Sequence, residues 1–373
     1  MDKMTLPPAT LQEDLWTYLA KTEKPLVVYG MGNGADKLIA RLSLLGKEIS
    51  DFFASDGFVR GQSFHGKRVL SFAEIKGKYE DFIILVSFGS HLSEVREAVE
   101  ALAEGNELYI PDMPIAGEDY FTAEFYRTHY TEILRVYELL TDKDSKLVFE
   151  NLLWYKLTGM PKYLWRAVKT GDEEALLGYD KIECAVDVGA YRGDTLKKLL
   201  DSCPNIKRVF CIEPDPKNYA RLSSYAQTVE EKEIVTVNAA AWNEAGRLSF
   251  SSSGNRNAAL GSKNEKIAGS ASYKTKETEV HTLRLDDLLK GNAISYIKYD
   301  TEGAELAALS GSVRTLKEQA PSLRISLYHR SEDLFALPLW LEEELGGIYT
   351  YYLRRKPSFP AWDIELIAVG KQV

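Results

Sequence analysis

The chain has 373 residues, of which 45% are hydrophobic and 27% are charged, and its formal net charge is −9. This length accommodates two domains with separate cores. The acidic balance argues against a nucleic-acid partner, because phosphate binding requires a basic face. The compact basic run at residues 354–356 is predicted to lie in a solvated loop.

The cysteines indicate a reducing environment. Cys184, Cys203 and Cys211 have neither metal-ligand nor paired-disulfide spacing, and a free cysteine in an apolar run behaves as a small hydrophobe. Residues 1–8 lack the apolar segment of a signal peptide, and no apolar run reaches membrane-spanning length. We therefore expect a cytoplasmic protein with no membrane partner.

The first part of the chain predicts a small Rossmann-like α/β domain over residues 1–115. A short amphipathic helix is expected within residues 1–22. Apolar runs then alternate with helical patterns, which is typical of parallel β-α-β units. The predicted strands are 26–29, 49–53, 82–88 and 108–110.

A glycine-rich turn follows the first of these strands. Residues 26–35 match the strand–turn–helix pattern G-x-G-x-x-A, with Asp51 or Asp56 as the acid near the end of the next strand. Only about four strands are predicted, roughly half of a dinucleotide-binding sheet. Two interpretations stay open: a nucleotide or nucleotide-sugar site at Gly30–Gly34, or a degenerate scaffold or dimerisation module.

Residues 116–178 change to a helical, aromatic pattern. Aromatic and aliphatic side chains recur there at roughly helical spacing. This segment is predicted to be a helical linker whose aromatic residues pack in a core, with a lid over a substrate pocket as the alternative.

The remainder, residues 179–373, predicts a larger α/β domain with seven strands, the number in a class I methyltransferase (Rossmann-like) sheet. The predicted strands are 184–188, 208–212, 234–238, 295–299, 323–328, 347–353 and 364–369. A β-ribbon at 247–252 and 279–285 flanks a polar loop at 251–272, whose composition predicts mobility.

The first two strands of this domain carry the most informative motif. An apolar strand ends in a turn containing Gly189 and Gly193, and the next strand ends at Glu213, about 20 residues later, as in a nucleotide-binding β-α-β unit. Tyr191 occupies the place of the second fingerprint glycine, where a bulky residue blocks close approach by a pyrophosphate. The turn therefore favours a nucleoside without phosphates, and S-adenosylmethionine is the expected cofactor.

Four segments together resemble the FkbM-type family of S-adenosylmethionine-dependent methyltransferases. They are residues 186–195, 212–216, 282–288 and 297–305, and the resemblance covers about residues 180–373. The N-terminal domain is similar to Rossmann modules found on sugar-modifying enzymes. The resemblance and that module together imply a sugar or other small molecule as the methyl acceptor.

The residues in the first two segments predict how the cofactor is held. Asp187 is expected to bind the ammonium group of the methionine part, and Glu213 the two ribose hydroxyls. Small residues and an aromatic wall after the third strand suit adenine. The predicted cofactor-binding residues are Asp187, Gly189, Tyr191, Gly193, Thr195, Glu213, Ala240 and Trp242.

Three residues after the fourth and fifth strands are predicted to be catalytic. Asp300 ends the fourth strand, at the edge where open α/β sheets bind ligands, and Glu302 follows it. His329, after the fifth strand, is the expected general base for a hydroxyl acceptor. No spacing requires a metal ion and none is expected, although these three residues and Asp286 carry suitable ligand atoms.

The sequence therefore favours methyl transfer from S-adenosylmethionine to an oxygen of a small molecule. Methylation of an amino-sugar nitrogen is an alternative that needs less help from a base. A further alternative is an oxidoreductase or regulator that uses the N-terminal glycine turn. The acceptor and the oligomeric state, including a homo-oligomer, stay open.

Overall fold

The computed structural model describes residues 5–252, 259–260 and 276–371. Within them lie two open α/β sheets, of six and seven strands, joined by a helical segment. Most of the predicted mobile loop at 251–272 lies outside the described residues. None of the described helices is both long and apolar enough to cross a membrane. All three cysteines are buried and unpaired.

The N-terminal sheet has the strand order β3-β4-β2-β1-β5-β6. Its strands are β1 (Leu26–Tyr29), β2 (Asp51–Phe53), β3 (Ser63–Phe64), β4 (Lys67–Leu70), β5 (Ile83–Val86) and β6 (Glu107–Tyr109). Its helices are α1 (Leu15–Lys21), α2 (Asn33–Leu44), α3 (Phe72–Lys78) and α4 (Ser93–Gly105), with a 3₁₀ turn at Asp56–Phe58. All pairs are parallel except β3 with β4.

The sequence located β1, β2, β5 and β6 but not the hairpin of β3 and β4. β1 and β5 are buried at every residue, as parallel strands covered on both faces are. The hairpin is short and mostly exposed, so it lacks an apolar signal. The predicted first helix begins only at Leu15, because the side chain of Asp14 accepts a hydrogen bond from Thr17 N and caps it.

The middle of the chain is helical, as expected. Its helices are α5 (Ala123–Thr128), α6 (Tyr130–Leu139), α7 (Lys143–Thr158), α8 (Pro161–Arg166) and α9 (Glu173–Leu177), and a 3₁₀ turn follows at Tyr179–Lys181. Ten of the sixteen residues of α7 are buried. The solvent-exposed face of this helix is therefore narrower than that of a typical amphipathic surface helix, and the helix lies within the core.

The C-terminal sheet has seven strands, as predicted, in the order β16-β17-β15-β14-β7-β8-β9. These strands are β7 (Cys184–Val188), β8 (Arg208–Ile212), β9 (Glu233–Val237), β14 (Tyr296–Tyr299), β15 (Ser322–Ser326), β16 (Tyr349–Arg355) and β17 (Ile364–Gly370). β17 runs antiparallel to both neighbours, and the other pairs are parallel.

The C-terminal part of the chain also forms a four-stranded sheet, which contains the predicted ribbon. It contains β10 (Ala240–Ala241), β11 (Gly246–Ser252), β12 (Ala259–Leu260) and β13 (Lys276–Leu283). The helices of this part of the chain are α10 (Asp194–Ser202), α11 (Pro216–Ala226), α12 (Leu285–Leu288), α13 (Glu305–Ser310), α14 (Val313–Gln319) and α15 (Asp333–Leu345).

The basic run at 354–356 was wrongly predicted to be a solvated loop. Arg354 and Arg355 end β16 and are each only 1% exposed. Arg354 donates to the carboxylates of Asp142 and Asp172. Arg355 donates only to backbone carbonyls, including that of Leu164, and burial lowers its pKa to about 10. Both guanidinium groups therefore tie the helical segment to β16.

The helical segment packs against the C-terminal sheet. Leu140 and Lys169 form isolated bridges with Tyr351 and Arg355 of β16. Side chains from α5–α8 share one hydrophobic cluster with residues of both large sheets. Residues 116–178 thus contribute their aromatic side chains to a common core.

Replacing Arg354 with Ala is expected to lower the free energy of unfolding by about 3 kcal/mol, because it breaks a buried ion pair and leaves two carboxylates without their partner. Lys356→Ala, at a neighbouring half-exposed position, is the control and is expected to cost less than about 0.5 kcal/mol. Urea unfolding measures both. Equal, small losses would contradict the structural role of Arg354.

Candidate active site

A cavity of about 330 Å³ opens at the carboxyl ends of β7, β8, β14 and β15. This is the edge of an open parallel sheet where ligands bind, and the volume lies at the lower end of the range for cofactor pockets. Five of the eight predicted cofactor-binding residues line it, namely Gly189, Tyr191, Thr195, Glu213 and Ala240. Of the predicted catalytic residues, Asp300 and Glu302 line it.

The glycine turn brings the ends of β7 and β14 together. Gly189 has φ +84°, and a Cβ there would lie 1.9 Å from the carbonyl oxygen of Asp300. Only glycine allows that approach. Gly193 is not a lining residue: a Cβ at this position would contact the ring of Tyr225 on α11. Its absent side chain makes room for helix packing, and its contact with the ligand stays a prediction.

Glu213 at the end of β8 reaches across this turn. Its Oε2 accepts a hydrogen bond from Tyr191 N at 2.8 Å, and its Oε1 accepts one from Asp215 N at 2.9 Å. Burial raises its pKa to about 7, against the effect of those two N–H donors. The carboxylate is therefore fixed in direction and faces the cavity, where it can accept further hydrogen bonds.

A buried lysine lies between two predicted site acids. Lys298 Nζ is 3.4 Å from Asp187 Oδ1 and 3.2 Å from Asp300 Oδ2. Asp187 is fully buried and lies outside the cavity lining; its contact in this structure is with Lys298, and its contact with the cofactor stays a prediction. Burial raises the pKa of Asp187 to about 6, with Lys298 opposing the shift.

Asp300 stays ionised. Burial favours its neutral form, but the charges of Lys298 and His329 outweigh burial and hold its pKa well below the usual range. Oδ1 accepts hydrogen bonds from Ser326 Oγ at 2.9 Å and Tyr328 OH at 3.3 Å. A negative charge is thus fixed at the end of β14.

His329 is fully buried and does not line the cavity. Its Nδ1 lies 2.9 Å from Glu305 Oε1, and its Nε2 lies 3.6 Å from carboxylate oxygens of both Asp300 and Glu302. Burial disfavours the imidazolium, but these three carboxylates outweigh it and raise the pKa of His329 to about 10. His329 is therefore a buried cation at neutral pH, which does not suit a general base, and its predicted catalytic role stays a prediction.

Glu302 lies between His329 and the cavity. It has φ +57°, an uncommon conformation for a residue with a side chain. The turn is held by Glu305, whose carboxylate accepts hydrogen bonds from Thr301 N at 2.6 Å and Gly303 N at 3.1 Å. Burial raises the pKa of Glu302 to about 8, against the charge of His329. A carboxylate with this pKa can take up a proton near neutral pH.

The opposite end of the cavity is apolar. Ile212, Pro214 and the small residues Ala239–Ala241 line it. Trp242 does not: its backbone N–H donates to Leu283 O, and its carbonyl packs against Gly311. Small side chains therefore line this part of the cavity, and the contact of Trp242 with adenine stays a prediction.

Sequence reasoning missed Lys298 and gave no role to Glu305. The signal for Lys298 was strand periodicity, since residues 298 and 300 fall on one face of a strand. Asp286, considered as a metal ligand, accepts hydrogen bonds from Thr315 N and Oγ1 instead. Among the described residues, Asp300, Glu305 and His329 form a group compact enough for a metal ion, and the expectation of no metal stays a prediction.

Comparisons with known proteins test the predicted resemblance. Residues 187–352 match the model of the methyltransferase FkbM domain. The match confirms the predicted resemblance to FkbM-type methyltransferases over this part of the chain. The match starts at Asp187 and covers the glycine turn, Glu213 and the turn at 300–305.

The fold of the whole chain is similar to that of a solved structure, and a weaker similarity covers about half of the chain. A methyltransferase FkbM from Methylobacillus flagellatus KT is 22% identical, with a TM-score of 0.70, and the match covers 99% of this chain and 95% of that one. An rRNA methylase from Streptococcus thermophilus is 12% identical, with a TM-score of 0.35, over 54% of this chain and 95% of that one. Among curated proteins, no match was found.

The charge of His329 is testable by NMR. Its imidazole is expected to titrate near pH 10, and Glu305→Gln is expected to lower that pKa by removing the nearest negative charge. Glu332→Gln is the matched control, since Glu332 is not an ion-pair partner of His329. A His329 resonance that titrates near pH 6.5 in the unchanged protein would contradict the assignment.

Proposed function

We propose that this chain transfers the methyl group of S-adenosylmethionine to a hydroxyl oxygen of a small molecule. The family of residues 187–352 supports methyl transfer. The observation that carries the proposal is a single cavity with Glu213 against the glycine turn and with Asp300 and Glu302 at the end of the neighbouring strand.

The lining residues fit S-adenosylmethionine. Glu213 has both oxygens oriented by backbone N–H groups and would accept hydrogen bonds from the ribose hydroxyls. Ala239–Ala241 and Ile212 would enclose the adenine, and Gly189 and Tyr191 would contact the methionine part. The ionised Asp300 would face the sulfonium charge. When bound, S-adenosylmethionine supplies an electrophilic methyl group.

Glu302 is the proposed general base. The acceptor oxygen bonds to the methyl carbon, the carbon–sulfur bond breaks with its electrons left on sulfur, and the hydroxyl proton passes to Glu302. His329, 3.6 Å from the Glu302 carboxylate, orients it and stabilises its ionised form. Holding the acceptor in line with the methyl group supplies much of the acceleration.

A hydroxyl acceptor is favoured over an amine because the base is a carboxylate whose pKa is close to working pH. A neutral amine attacks without prior loss of a proton and needs no such group. The sugar or nucleotide-sugar character of the acceptor rests on the sequence resemblance and the N-terminal module.

Calorimetry with S-adenosylhomocysteine tests the cofactor site. The wild-type chain is expected to bind it saturably, and Glu213→Gln is expected to bind at least about tenfold more weakly, because the charge-assisted bonds to the ribose are lost. Glu233→Gln, at an exposed acid on the next strand, is expected to bind like wild type. A folded wild-type chain without binding, or equal binding by all three, would overturn the proposal.

The pH dependence of kcat/KM tests the base. For a hydroxyl acceptor that the enzyme turns over, kcat/KM is expected to rise as pH passes about 8, when Glu302 loses its proton, and to fall near pH 10, when His329 loses its charge. Glu302→Gln is expected to abolish the rise and lower kcat about 10²-fold or more. A rise centred near pH 6.5 would instead indicate a neutral histidine as the base.

A further inference from the structure

A second cavity, of about 220 Å³, lies at the carboxyl ends of the N-terminal strands. The order of this sheet reverses between β1 and β5: the chain adds β2 and β4 on one side of β1, and β5 and β6 on the other. In open α/β sheets the crevice at such a reversal is where ligands bind. The glycine turn after β1 and residues 87–89 after β5 line this cavity.

The cavity carries a single positive charge. Lys37 is the only ionisable side chain among the described residues that line it. Its Nζ donates to Pro114 O at 3.1 Å and Ile115 O at 3.5 Å, and none of the described carboxylates forms a salt bridge with it. Burial lowers its pKa. In a chain of net charge −9, a cation enclosed without an anion points to an anionic ligand.

The glycine turn adds backbone donors beside Lys37. Gly32 has φ +95°, and a Cβ built there would meet no atom within 4 Å; its neighbours Met31, Asn33 and Gly34 line the cavity. Gly32 is the N-cap of the twelve-residue α2, whose first turn receives no hydrogen bond from a capping side chain. Free N–H groups at a helix start, with a lysine on the same helix, match the several oxygens of a phosphoryl group.

A dinucleotide does not fit this site. Asp51 is opposite Val27, not at the end of β2, and its carboxylate is bound by Lys78 and Tyr79. Asp56 is exposed on a 3₁₀ turn and does not line the cavity. The expected ribose-binding acid is therefore missing, and the volume lies below the usual range for cofactor pockets.

The rest of the cavity wall is apolar, and part of it is contributed by the C-terminal domain. Trp362 and Pro360, in the loop before β17, line the cavity together with Phe88 and Met113. The ring of Trp362 lies so close to Gly89 that a Cβ there would overlap it. An apolar wall of this kind favours a ligand whose organic part is small and flat.

We propose that this cavity binds a small phosphate monoester, with its phosphoryl group between Lys37 and the Gly32 turn and its body against Trp362. The site is separate from the methyltransferase cavity and does not depend on the function proposed above.

Calorimetry with phenyl phosphate and with inorganic phosphate tests this site. The wild-type chain is expected to bind both, phenyl phosphate more tightly, at one site per chain. Lys37→Met is expected to weaken binding at least about tenfold by removing the charge. Lys76→Met removes an exposed lysine of the same domain and is expected to bind like wild type.

A second pair of variants decides the matter if Lys37→Met unfolds, which thermal unfolding would reveal. Met113 is half-buried in a loop at the cavity. Met113→Glu is expected to abolish binding by repulsion, whereas Met113→Gln, of similar size and uncharged, is expected to retain it. Absence of saturable binding of either probe to the wild-type chain, or unchanged binding by folded Met113→Glu, would overturn the proposal.

Discussion

The placement of Lys298 between Asp187 and Asp300 is the interaction on which the C-terminal site depends. Asp187 and Lys298 lie on the adjacent central strands β7 and β14, and Asp300 follows β14, in surroundings where an unpaired charge is costly. The positive charge of Lys298 allows the buried Asp187 and the partly exposed Asp300 to lie near each other at the strand ends that meet at Gly189. The shape of the cavity and the charge at its centre thus have a common origin.

A second constraint acts through Glu305. Its carboxylate accepts hydrogen bonds from the backbone of the 301–303 turn and holds His329. This support maintains the positive φ of Glu302 and keeps a cation beside it. The buried Glu305 and His329 therefore hold the turn and orient Glu302. The carboxylates of Asp300 and Glu302, which line the cavity, face the ligand.

The sequence was sufficient for features set by local pattern. Apolar runs located the seven strands, and the glycine spacing placed Gly189 and Glu213 at one cavity. It was insufficient where a distant partner decides the outcome. The sequence predicts that His329 is a base, but three carboxylates surround it in the structure. It predicts that Arg354 is a surface residue, but Asp142 and Asp172 from another segment form ion pairs with it. Neither pairing leaves a periodic signal.

The largest hydrophobic cluster contains residues of the N-terminal domain, the helical segment and the C-terminal domain. It joins Val27 and Ile84 of the N-terminal sheet, Phe149 of α7, and Ile297 and Leu366 of the C-terminal sheet. Cutting the chain near residue 179 would expose one side of this core to water, at a free-energy cost proportional to the apolar area uncovered. We therefore expect the cooperative folding unit to be larger than residues 187–352, the segment that the family model matches.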